Sequence, residues 1–198
     1  MPGSQDNPWT TLRSTLQYDN PWIQVAEHKV LTPTGAPGIY GTVHFKNLAL
    51  AVLPIDADGH TYLVGQYRYP LRQYSWELPE GGGCHEVPPL ESAQRELAEE
   101  TGLRARGWQE LMRLHLSNAV CDEAAVSYVA WDLIQGEAAP DETERLEIRR
   151  LHFSDALAMV WRGEITDALS VATIMRVELM RQRGDAPEPV AASLKMVR

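Results

Sequence analysis

The sequence predicts an α/β fold in which a mixed β-sheet lies between helices, an α/β/α sandwich, with a β-rich arm at the N-terminus. Three observations support this prediction. The run 47–55 is apolar almost throughout, which is typical of a central strand buried on both faces. The run 89–101 has the apolar periodicity of a helix and is followed by a glycine. Residues 1–46 alternate strand-like segments with turns that contain proline and glycine.

Length and charge limit the functional classes. The chain has 198 residues, which is enough for one domain with appendages. Its formal net charge of -9 argues against sequence-independent binding to nucleic acid or to an anionic membrane, because both need a basic surface. No apolar run approaches the roughly 20 residues of a membrane span, and the start lacks the pattern of a signal peptide. We therefore expect a cytoplasmic protein whose two cysteines, Cys84 and Cys121, are free thiols.

The predicted N-terminal arm covers residues 1–46. Strands are predicted at 10–18, 22–31 and 40–45, with turns at the intervening prolines and glycines. The arm has more apolar surface than a small appendage can bury by itself. This surface comes from Trp9, Trp22, Ile23, Val25 and Val30. We expect the arm to form a homodimer, and the alternative is a sheet extension within a monomer.

The main domain is predicted to cover residues 47–184. Strands at 47–55 and 61–67 flank an Asp- and Gly-containing turn and form a hairpin. Arg68 follows the second strand and either pairs with a nearby acid or reaches the cleft at the glycine loop downstream. Glu77 alternates with Trp76 and Leu78, which predicts a half-buried strand.

The stretch 81–103 consists of a glycine loop, a helix and a residue that ends the helix. Two prolines suit the first turn of the helix, and Gly102 suits the left-handed position just past its end. The helix should run from about Pro89 to about Thr101.

Three carboxylates, Glu96, Glu99 and Glu100, crowd one flank of this helix. Like charges at this spacing destabilise a helix, so something should compensate them. One interpretation is a solvated face on which arginines such as Arg95 pair with the acids. The other is a metal site, because carboxylates beside a flexible backbone that offers carbonyl oxygens suit Mg²⁺.

The last part of the chain is predicted to contain strands at 108–116, 127–134 and 145–153, followed by helices. Ser154 is the predicted N-cap of a helix over 155–161, and Thr166 that of a longer helix ending near Arg183. Residues 185–198 are predicted to form a loose tail.

The segment 81–103 resembles the Nudix box, whose pattern is Gly, five residues, Glu, seven residues, Arg-Glu, an aliphatic residue, any residue, Glu-Glu, any residue, Gly and an aliphatic residue. The residues that match in register are Gly81, Arg95, Glu96, Leu97, Glu99, Glu100, Gly102 and Leu103. Val87 occupies the place of the first glutamate. The segments 66–68, 76–79 and 163–168 resemble the ADP-ribose pyrophosphatase, or nucleoside diphosphate sugar hydrolase, branch. The proline that this branch has after the box is missing, since no proline occurs between Pro89 and Pro140.

This resemblance implies a Nudix fold and an enzyme that hydrolyses the pyrophosphate bond of a nucleoside diphosphate linked to another group. The implied substrate is ADP-ribose, cleaved to AMP and ribose 5-phosphate, with Mg²⁺ as cofactor and Mn²⁺ as a substitute. The alternatives are another sugar nucleotide, a dinucleoside polyphosphate, or a nucleotide-sensing module with weak catalysis.

The resemblance also implies roles for particular residues. It places the metal at the carboxylates of Glu96, Glu99 and Glu100 and at a backbone carbonyl at the start of the box, that of Gly81 or of Glu80 before it. It assigns Arg68, and in one interpretation Glu77, to substrate binding. These enzymes also use a glutamate from an acidic loop after the box. The catalytic candidates are therefore Glu99, Glu100, Glu142 and Glu144.

Overall fold

The structure, a computed structural model, describes residues 6–138 and 145–195 of the chain. These residues form two compact units. The first contains the chain up to Asn47 together with His115–Glu123, and the second contains Leu48–Leu114 and the chain from Ala124 onward. The first unit therefore includes a later segment that the sequence did not associate with the predicted arm.

The first unit contains a three-stranded antiparallel sheet with the order β1-β2-β3. Its strands are β1 (Thr10–Asp19), β2 (Ile23–Leu31) and β3 (Pro37–Phe45). The side chain of Asn20 accepts hydrogen bonds from the backbone N–H groups of Trp22 and Ile23, which fixes the turn between β1 and β2. Within this unit, Asp122 accepts hydrogen bonds from Phe45 N–H and from the ring of His44. The later segment is thus attached to β3.

The second unit contains two sheets. Their strands are β4 (Asn47–Pro54), β5 (His60–Arg68), β6 (Gln73–Glu77), β7 (Glu80–Cys84), β8 (Leu103–His115), β9 (Ala124–Gln135) and β10 (Glu147–His152). One sheet has the order β7-β4-β9-β8, in which β4 and β9 are parallel, and the other has the antiparallel order β10-β5-β6. The helices are α1 (Pro89–Thr101), α2 (Phe153–Trp161), α3 (Ala168–Arg183) and α4 (Glu188–Lys195).

Alternate side chains of β4 enter two different hydrophobic cores. Leu50 and Val52 pack in the core that contains Leu97 of α1. Leu53 packs in the core that contains Ile174 of α3 and residues of α2. Successive side chains of a strand point to opposite faces of the sheet, so α1 covers one face and α2 and α3 cover the other. The predicted α/β sandwich with a mixed sheet is confirmed.

The structure corrects the predicted helix boundaries downstream of the box. The N-cap of α3 is Asp167, whose carboxylate accepts a hydrogen bond from Ser170 N–H at 2.7 Å, so Thr166 lies one residue too early. The helix α2 begins at Phe153, after His152, and has no side-chain cap, so the N-cap assigned to Ser154 is wrong. Phe153 is buried in the core, and its packing rather than a capping hydroxyl fixes this helix start.

The predicted loose tail is wrong over residues 188–195, which form α4. Val190 and Leu194 lie four residues apart on one face of this helix, and both are buried in the core shared with α2 and α3. The proline and alanine content of this segment suggested flexibility, but two apolar residues at helical spacing are enough to dock it.

Asp56 holds the turn between β4 and β5, which belong to different sheets, so the predicted hairpin of these two strands is wrong. One of its carboxylate oxygens accepts hydrogen bonds from the N–H groups of Asp58 and His60, and the other pairs with Arg150 at 2.6 Å. Burial of this carboxylate opposes ionisation, but the hydrogen bonds from His60 and Arg150 outweigh it and hold the pKa of Asp56 below its ordinary value.

Replacing this carboxylate should make the protein less stable in a pH-dependent way. We expect Asp56→Asn to lower the free energy of unfolding by about 1–3 kcal/mol at pH 7. The contribution of a carboxylate with a lowered pKa is present above its unfolded pKa and is lost as the pH falls through the folded pKa. The difference from the wild type should therefore shrink below about pH 4. Urea unfolding at several pH values measures this.

Asp58→Asn is the matched control, because the Asp58 side chain is 73% exposed and pairs with the same Arg150. Its effect should stay within about 0.5 kcal/mol at pH 7. Equal destabilisation by the two substitutions would contradict the role given to Asp56.

Candidate active site

The glycine loop lies directly against the glutamate-bearing face of α1. The buried carboxylate of Glu100 accepts a hydrogen bond from the backbone N–H of Glu80 at 2.9 Å. One residue further, a Cβ atom on Gly81 would overlap the carboxylate of Glu96. Only glycine lets the backbone come this close, which explains why the loop needs that residue at this point.

Arg95 joins the other acids of the helix to the loop. Its guanidinium donates to Glu99 at 2.5 Å, to Glu96 at 2.6 Å and to the carbonyl oxygen of Gly82 at 2.9 Å. The side chain of Glu96 is 13% exposed and that of Glu99 is 41% exposed. The three carboxylates therefore run from the buried Glu100 outward to the solvent.

Arg68 and Glu77 form a pair at the ends of β5 and β6. The Nε atom of Arg68 donates to the two carboxylate oxygens of Glu77 at 3.0 and 2.9 Å, and Nη2 pairs with the same carboxylate. Glu77 is only 3% exposed, whereas the Arg68 side chain is 38% exposed. Burial opposes the charge on Arg68, but the bond to Glu77 outweighs it and raises the pKa of the guanidinium. Glu77 is thus a buried partner that orients Arg68, with Nη1 outside the pair.

A polar network at the start of α3 supports the loop from behind. Ser170 is fully buried, and its hydroxyl accepts from Leu78 N–H at 2.9 Å and donates to Glu80 at 2.6 Å. Asp167 caps the same helix. Burial, and then the negative charge of Asp167, raise the pKa of the Glu80 carboxyl well above its ordinary value. The charge of Arg68 also interacts with Glu80 and Asp167, so this network adjoins the Arg68–Glu77 pair.

The structure brings most of the predicted site residues into two neighbouring groups. Gly81 and the three helix glutamates form one group, and Arg68 with Glu77 forms the other. Glu142 and Glu144 lie outside the described residues. Val87, in the place of the first box glutamate, is 38% exposed on the turn before α1.

Sequence reasoning missed Ser170 and Asp167. Aspartate is a preferred N-cap residue, and its position directly before the helical run 168–183 was a signal available in the sequence. The partners of the Ser170 hydroxyl, which lie about ninety residues earlier in the chain, could not be inferred from local pattern.

The donor set of the first group fits a hard divalent cation. Its carboxylates range from the buried Glu100 to the half-exposed Glu99, and the backbone of Gly81 approaches the carboxylate of Glu96 without a side chain in between. Oxygen ligands of this kind suit Mg²⁺ or Mn²⁺. The positive charge of Arg95 offsets the repulsion between the carboxylates that it binds.

Within the described part of the chain, Asp56, Asp58 and His60 form a group whose possible ligand atoms lie within 4.8 Å of one another, a spacing that the three helix glutamates do not reach. Both oxygens of Asp56 are already engaged by backbone N–H groups and by Arg150, and Asp58 also contacts Arg150. These bonds explain the group as part of the turn between β4 and β5.

Among the helices described for this chain, none has the length and apolar character that crossing a bilayer requires.

Comparison with known proteins supports the interpretation of this geometry. Residues 46–169 match the model of the NUDIX domain, and residues 9–43 match that of the nucleoside diphosphate sugar hydrolase N-terminal domain. An ADP-ribose pyrophosphatase of Mycobacterium tuberculosis (strain ATCC 25618 / H37Rv) is 31% identical over 147 residues, which cover 72% of this chain and 70% of that protein. An ADP-ribose pyrophosphatase of Bacillus subtilis (strain 168) is 31% identical over 133 residues, covering 66% of this chain and 72% of that protein.

Two further similarities agree with this. A methanol dehydrogenase activator of Bacillus methanolicus is 32% identical over 133 residues, with 66% of this chain and 72% of that protein covered. A solved structure described as an ADP compounds hydrolase shares the fold, with a TM-score of 0.81, 22% identity, and coverage of 92% of this chain and all of that one. With the box helix, its glycine loop and the matched domain in agreement, the chain belongs to the Nudix family and is a hydrolase similar to its ADP-ribose pyrophosphatases.

Proposed function

We propose that this enzyme hydrolyses the pyrophosphate bond of ADP-ribose to give AMP and ribose 5-phosphate, with Mg²⁺ as its cofactor. The observation that carries the proposal is the placement of Glu96, Glu99 and Glu100 against the glycine loop at Gly81. The two ADP-ribose pyrophosphatases that resemble the chain support the choice of substrate. The coarser activity, hydrolysis of a nucleoside diphosphate derivative, follows from the family.

In this proposal the three glutamates and the Gly81 carbonyl hold the metal. When bound, Mg²⁺ neutralises charge on the two phosphates and makes a water molecule more acidic. Arg95 keeps Glu96 and Glu99 in position through its hydrogen bonds.

Arg68 supplies a positive charge for a substrate phosphate. Glu77 occupies Nε and Nη2 of its guanidinium, so Nη1 is the nitrogen that would donate to a phosphate oxygen. Glu77 then acts in substrate binding by orienting Arg68 rather than by touching the substrate.

Hydrolysis requires a water molecule to lose a proton as its oxygen bonds to phosphorus and the bridging P–O bond breaks. The released phosphate carries away the electron pair of that bond. Glu99 is the most exposed of the three helix carboxylates and is our candidate among the described residues to accept the proton. Glu142 and Glu144 are the other candidates for this base, together with the buried Glu100.

We also infer a cytoplasmic homodimer. The sheet β1-β2-β3 and its first turn expose several large apolar side chains, with Leu12 at 60%, Trp22 at 66% and Ile39 at 70%. A patch of this kind is typical of an interaction surface. The two free cysteines suit a reducing compartment.

Sedimentation velocity at micromolar concentration should give a species of twice the chain mass of 22.2 kDa. Replacing Leu12 and Ile39 by Ser should shift it toward the monomer. A wild-type protein that sediments only as a monomer would contradict the dimer.

Two departures from the family pattern support a second class of candidate substrates for this site. Val87 replaces the first glutamate of the box, and the proline that the ADP-ribose pyrophosphatase branch has after the box is missing. Both departures keep another sugar nucleotide or a dinucleoside polyphosphate as a second candidate substrate. A panel of these compounds, tested beside ADP-ribose, separates the two.

Removing one buried carboxylate should abolish most of the activity. We expect Glu100→Gln to lower the rate of Mg²⁺-dependent AMP release from ADP-ribose by more than about 100-fold, which corresponds to about 2.7 kcal/mol of barrier. The reason is that the new side chain offers no negative charge to the metal, although its amide oxygen still accepts the hydrogen bond from Glu80 N–H. Quantifying AMP by chromatography measures the rate.

Glu91→Gln is the control, since it removes the same charge from an exposed position of the same helix. This variant should retain the wild-type rate. Equal rates for Glu100→Gln and the wild type would contradict the metal assignment. Turnover of other nucleotides but not of ADP-ribose would contradict only the substrate.

A further inference from the structure

Ser170 links α3 to the loop that precedes the box helix. Its side chain is fully buried, and the hydrogen bonds of its hydroxyl are formed with another segment rather than within its own helix. The hydroxyl instead accepts from Leu78 N–H at 2.9 Å and donates to the carboxyl of Glu80 at 2.6 Å. Both partners belong to the short segment 78–80, which joins the end of β6 to the first residue of β7.

This segment depends on outside partners. Leu78 and Pro79 lie outside the strands, and Pro79 has no N–H to donate. Leu78 is 1% exposed, so its N–H has no access to water and needs an acceptor within the protein. Ser170 provides this acceptor, and Val52 N–H donates to the carbonyl of Pro79 at 2.9 Å.

The next contact leads to the candidate metal site. Glu80, whose side chain Ser170 holds, donates its backbone N–H to the carboxylate of Glu100 at 2.9 Å. Gly81 follows directly and packs against Glu96. A shift of the segment 78–80 would therefore displace two groups at once. One is the Glu80 N–H that binds Glu100, and the other is the glycine that adjoins Glu96.

Other buried hydroxyls of the second unit differ from Ser170. Thr173, one turn later on α3, donates to the carbonyl of Leu169 within its own helix. Ser127 on β9 is fully buried, and its hydroxyl has no hydrogen-bond partner among the described residues. Of these three hydroxyls, the one on Ser170 forms hydrogen bonds with two groups of the segment 78–80.

We propose that Ser170 is a positioning residue that fixes the segment 78–80 and, through the backbone of Glu80, the metal-binding carboxylate of Glu100. This inference rests on the proposed metal site. Outer-shell partners that hold a metal ligand typically change metal affinity by about 10- to 100-fold when removed. Ser170 should therefore act on metal affinity more than on substrate affinity.

The test compares Ser170→Ala with Ser127→Ala, which removes a hydroxyl of equal burial that holds nothing. Mn²⁺ binding to each full-length protein is measured by electron paramagnetic resonance without substrate. We expect the Mn²⁺ dissociation constant of Ser170→Ala to rise by about 10- to 100-fold. Ser127→Ala should match the wild type, and the KM for ADP-ribose at saturating Mg²⁺ should change little in both variants.

Ser170→Cys provides a second variant of nearly the same shape with a weaker hydrogen-bonding group. Its Mn²⁺ affinity should lie between those of the wild type and Ser170→Ala, and circular dichroism verifies that each variant is folded. Wild-type Mn²⁺ affinity in both Ser170 variants would overturn this inference alone. A wild-type protein that binds no Mn²⁺ would overturn the proposed metal site and this inference with it.

Discussion

The candidate active site depends on one close contact, that of the glycine loop with the acidic face of α1. Like charges at neighbouring helix positions repel one another, and the protein holds them together with a few fixed donors. The N–H of Glu80 binds Glu100, Arg95 binds Glu96 and Glu99, and the missing side chain at Gly81 leaves room for the carboxylate of Glu96. The arrangement collects negative charge beside the glycine loop, where we propose that the divalent cation binds.

The remaining elements of the second unit support this contact from two sides. The central strand β4 fixes α1 through one core and α2 and α3 through the other. The start of α3 then reaches the loop through Ser170, next to the pair formed by Arg68 and Glu77. The pair of Arg68 and Glu77 and the loop at Gly81 thus belong to the consecutive strands β5, β6 and β7, whereas the carboxylates of the proposed metal site lie on α1.

Local signals in the sequence were sufficient for the box helix. The prolines at its start and Gly102 at its end predicted Pro89–Thr101, the bounds that the structure has, and Gly102 adopts the left-handed conformation with φ +72°. Both signals act within one turn of the helix and need no tertiary information. The buried central strand and the covering of both sheet faces were predictable for a similar reason, because an uninterrupted apolar run has to be covered on both sides.

The features that could not be predicted depend on tertiary contacts between segments that are distant in the sequence. A serine in the first turn of α3 looked like any polar helix residue, and only the fold places its hydroxyl under Leu78 and Glu80. The residues of α4 suggested a flexible tail until Val190 and Leu194 met the core. The alternation around Glu77 predicted only a half-buried strand, and the structure shows that its carboxylate is buried and pairs with Arg68.

The most direct test of the central contact is the substitution Gly81→Ala, with Gly41→Ala as control. An added Cβ at Gly81 meets the carboxylate of Glu96, which is flexible enough to swing away, whereas at Gly41 it meets nothing within 4 Å. We predict that both proteins fold but that Gly81→Ala loses more than about 100-fold of its Mg²⁺-dependent turnover of ADP-ribose, or about 2.7 kcal/mol of transition-state stabilisation. A folded Gly81→Ala protein with the activity of Gly41→Ala would contradict the account.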